Sequence, residues 1–214
     1  ESGRCHGESV EVNHRDSPIP LVPRQRWLID RNFNYPVAYA FNVWLRSEKK
    51  LYLDAVRRAW RAVVSHHEGL RLIFDNAPQN WTPRVQTSSA LALDVVEVDL
   101  RDVTPDVLRQ RLDTVVQHVS RSIDINSGPL PRLTLVRTPA PRPGLSEAGA
   151  RGEGGDLLLL FIPHIISDEH SARVVIADLN TAYSAAEVGR EIVLPPASLP
   201  FTDWARYLHT AAAR

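Results

Sequence analysis

Leu53, Val56, Trp60 and Val63 recur at steps of three and four residues, with charged and polar positions between them. A period near 3.6 gathers them on one face, so the spacing predicts an amphipathic helix over Leu51 to His66, ended by Gly69. Leu108, Leu112, Val115 and Val119 form a second stripe of the same kind, preceded by Asp102 and Thr104 as caps. A third helix is predicted from Glu169 to about Ala186, with Val175, Leu179 and Ala182 inward and Pro195 and Pro196 blocking continuation. Pro23 to Asp30 reads as a short helix with proline at its first turn, where the missing N–H costs nothing. Phe201 to Ala213 reads as a last helix. Strands are predicted at Val37 to Arg46, Leu93 to Leu100 and Leu130 to Arg137, with shorter ones at Leu70 to Phe74 and Arg84 to Thr87. The run Asp156-Leu-Leu-Leu-Leu-Phe-Ile162 is apolar at odd and even positions alike. Such a strand is covered on both faces and lies inside a sheet. Strands alternating with helices predict an α/β sandwich with one mostly buried sheet. Thr138 to Gly155 holds three Pro and five Gly and almost no large apolar residue, so a mobile surface loop is expected there.

Composition narrows the picture. The 214 residues carry 25 Lys+Arg and 25 Asp+Glu, a formal net charge of 0. A general nucleic-acid or anionic-membrane binder would carry a basic excess, so neither partner is expected. The single cysteine, Cys5, excludes an internal disulfide and a Cys-based zinc site, and points to a reducing, cytoplasmic setting. The longest apolar run, Leu157 to Pro163, is far short of the roughly 20 residues of a membrane span. Glu1 to Asp16 is polar and charged, unlike a signal peptide. Residues 1–20 are therefore expected to be a flexible segment before one domain over 21–214. No Gly-rich phosphate loop follows any strand.

The chemistry concentrates in Pro163-His-Ile-Ile-Ser-Asp-Glu-His170. A histidine stands at the end of the most buried strand, and an aspartate follows four residues later. Histidine is the commonest general base near neutral pH, and a strand end holds it rigidly. Alone, the pair is equally well a strand-end histidine and a helix N-cap. Ser167 beside them makes no triad, because no Gly-x-Ser-x-Gly elbow is present. His164 and His170 match no metal-ligand spacing, and no metal is expected. His66 and His67 close a helix C-terminus, where cationic groups are favourable.

Further segments fall in register with this one. Pro23-Arg24-Gln25-Arg26-Trp27, then His66-His67-Glu68-Gly69-Leu70-Arg71 with Phe74, then Ile123-Asp124-Ile125 with Gly128-Pro129-Leu130, precede it in order; Tyr183 and Phe201 to Tyr207 follow. Together they resemble the N-terminal lobe of a condensation domain of nonribosomal peptide synthetases, in the wider chloramphenicol acetyltransferase-like superfamily. Pro163 to Glu169 is similar to the family's His-His-x-x-x-Asp-Gly motif. The resemblance implies a chloramphenicol acetyltransferase-like sandwich, one mixed sheet flanked by helices. It implies one lobe of two, the second lying outside this chain or replaced by a dimer partner. Peptidyl or acyl carrier proteins would deliver phosphopantetheine thioesters to a tunnel between the lobes, with no cofactor bound directly. His164 would be the catalytic residue, as general base or as a positioning and charge-stabilising group. Asp168 would be structural and pair with Arg71.

Two positions depart from the motif. Pro163 replaces its first histidine, and Glu169 its glycine. Both would line the substrate channel, where the Glu169 carboxylate either obstructs the acceptor or binds its ammonium group. Three readings follow: an amide-forming lobe, an ester-forming acyltransferase lobe, and a non-catalytic docking platform.

Overall fold

The computed structural model describes residues 18–31, 37, 39–77, 80–139, 155–197 and 199–212. Most of the expected N-terminal flexible segment and most of the expected Thr138 to Gly155 loop lie outside the described residues. Among the described residues, five α-helices and six strands follow in chain order: α1 (Pro23–Asp30), β1 (Ala40–Arg46), α2 (Leu53–His66), β2 (Leu72–Ala77), β3 (Asn80–Val85), β4 (Val96–Asp99), α3 (Pro105–Arg121), β5 (Arg132–Arg137), β6 (Leu157–Pro163), α4 (Glu169–Glu187) and α5 (Phe201–Ala212).

Four strands form one mixed sheet in the order β1-β6-β5-β4, with β4 parallel to β5 and the other pairs antiparallel. All of β6 is buried, as its unbroken apolar run predicts, and it lies between β1 and β5. Its two faces meet different partners. Leu157, beside Val136 and Trp44, packs under Leu108, Leu112 and Val115 of α3. Leu158, paired with Leu45, points the other way and lines a cavity together with Ile176 and Leu179 of α4. α2 and α4 share the larger core through Val56, Trp60, Val63, Val175, Leu179 and Ala182. No helix among the described residues is long and apolar enough to cross a membrane.

β2 and β3 form a separate hairpin. Its buried Phe74 holds the segment before β5, donating its N–H to the Ile125 carbonyl at 2.9 Å. Gly128 in that segment has φ +59°, and a Cβ there would stand 2.8 Å from Ile73 Cγ2. Only glycine satisfies both the backbone and the space.

Several boundaries differ from expectation. The Leu93 to Leu100 strand shortens to β4, although Leu93 and Val95 remain buried. Thr104, not Asp102, is the N-cap residue of α3, and its side chain makes no cap bond. It instead hydrogen-bonds Asp106 and holds that carboxyl below the usual range.

The start of β6 is tied by charge. Asp156 and Arg137 are both buried and form an ion pair. Asp156 Oδ2 also accepts from the Leu51 N–H at 2.6 Å, and Arg137 donates to the Leu51 carbonyl at 2.8 Å and to Glu97. Gly155 lies so close to Ser47 that a Cβ would fall 1.8 Å from its carbonyl oxygen.

Candidate active site

β6 delivers His164 to the edge of the core. Pro163 is the last residue in register with β1, opposite Ala40, and the His164 N–H donates to the Tyr39 carbonyl at 2.8 Å. The backbone thus stays on the ladder while the side chain leaves it. The rings of Tyr39 and Phe41 stand 4.3 and 4.0 Å from the imidazole, centroid to centroid. Pro163 is buried, and its carbonyl accepts from the Ile166 N–H at 3.1 Å, closing the turn after the strand. It is a backbone element of that turn.

α1 braces the same turn. Gln25 is buried, and both ends of its amide are used. Its Oε1 accepts from the Val22 N–H at 3.1 Å, and its Nε2 donates to the Ile165 carbonyl at 3.1 Å. The residue before it, Arg24, reaches His164: Nη2 lies 2.8 Å from Nδ1. A guanidinium only donates, so Nδ1 is the acceptor, and the neutral ring carries its proton on Nε2. Burial lowers the His164 pKa, the Arg24 charge lowers it further, and the Ser167 backbone opposes both. The ring is therefore held neutral to lower pH than an ordinary histidine.

Asp168 and Arg71 do not pair. Asp168 is exposed and is the N-cap of α4: Oδ1 accepts from the Ser171 N–H at 2.8 Å and its hydroxyl at 2.7 Å. These bonds hold its carboxyl below the usual range. Arg71 donates from Nη1 to the Gln86 carbonyl at 2.7 Å, and its buried Nε has no partner among the described residues. The orphan donors of the α4 N-terminus compete for Asp168 locally and win, because a cap three residues away needs no long side chain to be ordered. Glu169 extends along the helix surface to Arg173, 2.7 Å away, with both side chains more than 70% exposed. Its carboxylate is engaged there.

Other motif residues serve the scaffold. Glu68 accepts from the Thr202 N–H at 2.8 Å and from its hydroxyl, anchoring the start of α5. Tyr183 accepts from the Tyr52 N–H at 3.2 Å and donates to Glu187 at 3.3 Å. The roles of Arg24, Gln25 and Glu68 are not legible in the sequence. The His164 partner of Arg24 and the Ile165 partner of Gln25 lie 140 positions away, the Thr202 partner of Glu68 134 positions away, and no periodicity links such residues.

The sequence and the fold resemble those of known proteins. The chain is 25% identical over 207 residues to surfactin synthase subunit 2 of Bacillus subtilis (strain 168), spanning 96% of this chain and 5% of that one. It is 25% identical over 194 residues to tyrocidine synthase 1 of Brevibacillus parabrevis, spanning 91% of this chain and 16% of that one. Among solved structures it superposes on the epimerization domain from the third module of tyrocidine synthetase B with a TM-score of 0.80. The sequences there are 27% identical, over 92% of this chain and 41% of that one. The chain thus spans less than half of each of these relatives. The family model described as Condensation domain matches residues 16–213, and the chain belongs to the condensation domain family.

Proposed function

We propose that this chain is the N-terminal lobe of an amide-forming condensation domain in cytoplasmic nonribosomal peptide synthesis. The observation that carries the reading is His164 at the end of β6, braced by α1 through Gln25 and touched by Arg24, in a chain matched by the condensation model over 16–213. Carrier proteins bring two phosphopantetheine thioesters to a tunnel of which this lobe is one wall. The other wall is a second lobe or a second copy, and the exposed Trp204 and Tyr207 of α5 offer it an apolar surface. The acceptor amine attacks the donor thioester carbonyl. The C–N bond forms, the C–S bond breaks, and the proton lost by nitrogen reaches the departing thiol sulfur.

His164 contributes as a neutral imidazole. With Nδ1 accepting from Arg24, its ring proton lies on Nε2, which favours donation and positioning over proton abstraction while that contact holds. The test uses the two-lobed protein with both carrier-bound thioesters, product being read by mass spectrometry. His164→Ala should lower amide formation by about 10²–10⁴-fold. Arg24→Leu should move the acid limb of the pH–rate profile upward, towards the ordinary histidine value near 6.5, because it removes a lowering charge. Product formation indifferent to both changes would leave the docking platform as the reading.

A second reading rests on the likeness to the epimerization domain at 27% identity and TM-score 0.80. It is inversion at the α-carbon of one carrier-bound aminoacyl group. The same assay separates the two: chiral analysis of the released amino acid detects inversion in the absence of an acceptor, which amide formation does not produce.

A further inference from the structure

His66, His67 and Asp178 converge between the C-terminus of α2 and the middle of α4. One ligand atom from each lies within 4.8 Å of the others. Adjacent residues of a continuous helix point about 100° apart and would diverge. Here α2 ends at His66, and His67 is extended, with φ −96° and ψ 107°. That break swings the second imidazole back, and the two rings meet edge to face with centroids 4.9 Å apart. α4 supplies Asp178 from the opposite side. Its carboxylate is 9% exposed, and Oδ2 lies 2.7 Å from His67 Nε2. The His66 side chain makes no hydrogen bond among the described residues, so its ring nitrogens are available to ligate.

We propose that these three side chains form a binding site for a borderline divalent transition metal, zinc in the first instance. Two imidazoles and one carboxylate are the donor set such ions take, with one position left for water or a partner's side chain. The ligand atoms of a tetrahedral zinc at about 2.0–2.2 Å stand about 3.3–3.5 Å apart. The His67–Asp178 contact needs to open by about 0.6–0.8 Å, and His66 to close by more, through rotation of a partly exposed ring. The ion replaces the single hydrogen bond that His67 Nε2–H donates to Asp178 with a coordinated link between α2 and α4.

The test is titration of the full chain with zinc by calorimetry and with cobalt(II) by visible absorption. One equivalent should bind saturably. At zinc about 100-fold above Kd, the melting temperature should rise by about 5–10 °C. His66→Ala, which loses no hydrogen bond, should retain the parent's circular dichroism and bind at least tenfold more weakly. Asp178→Asn, which keeps a polar group facing His67, should show the same loss. A melting temperature indifferent to zinc overturns the site. So does undiminished binding in His66→Ala, which would put the ion on other groups, such as Cys5 and His6.

Discussion

β6 has two ends with opposite electrostatics. At its start, Asp156 and Arg137 are buried together, and the pair is tied to Leu51 and Glu97. At its finish, Asp168 is exposed and caps a helix, and the charge that reaches His164 is Arg24, itself exposed. The family resemblance implies an ion pair at the second end, between Asp168 and Arg71. The buried ion pair is at the first. The difference separates two tasks within one strand. The end with a closed, desolvated charge network fixes the sheet. The end with exposed, locally satisfied charges leaves the imidazole near water and substrate.

This contrast sets the scale of what each end tolerates. Asp156→Ala leaves the Arg137 guanidinium buried without its closest partner and strips the Leu51 N–H of its acceptor. Breaking such a pair costs about 3–5 kcal/mol. In a chain of this size each kcal/mol moves the melting temperature by about 2–4 °C, so a drop of about 6–20 °C is expected. Calorimetry or thermal circular dichroism measures it. A drop no larger than that of Asp168→Ala would erase the distinction between the two ends.

Asp168→Ala should be milder. It removes an N-cap, worth about 0.5–2 kcal/mol, and strands no buried charge. Its pH signature is specific. The folded-state pKa of Asp168 is lowered, chiefly by Ser171, so its contribution is complete above the unfolded value near 3.9 and is lost as pH falls through the lower folded value. The variant should therefore differ from the parent at pH 6, and the difference should shrink as pH falls below the unfolded value near 3.9. A difference that persists in acid would mean that the carboxyl acts through something other than its charged cap.

The legibility of these features follows from their range. Helices α2, α3 and α4 and the central place of β6 are readable because apolar periodicity is a local signal, and packing obeys it. Gly128 is recognisable as part of a motif, but its reason is a tertiary clash with Ile73, which no window of sequence contains. Arg24, Gln25 and Arg137 are unreadable for the same cause. Each is an ordinary polar residue until the fold brings it to a partner: Ile165 and His164 for α1, Asp156 for β5. The Asp168–Arg71 pairing fails because a family pattern records which residues co-occur, whereas the nearest unsatisfied donors decide where a carboxylate goes.

The smallest expected effect belongs to Glu169. Its partner Arg173 lies one turn further along α4, the favourable order of charges for a helical i,i+4 pair. Exposed pairs of this kind contribute about 0.3–0.5 kcal/mol and are screened by salt. A double-mutant cycle with Glu169→Gln and Arg173→Gln should give a coupling of that size in low salt, falling towards zero near 1 M. The same Glu169→Gln change in the two-lobed protein should alter amide formation less than tenfold, which is below about 1.4 kcal/mol in the barrier. The reason is geometric. A carboxylate held along the helix surface by Arg173 is not extended towards the acceptor, so removing its charge changes the helix more than the channel. A tenfold or larger rise in KM with little change in kcat would show instead that Glu169 leaves Arg173 when the acceptor binds. Glu169 would then join His164 on the substrate side of the strand end, and the open end of β6 would hold an acceptor-binding charge beside its imidazole.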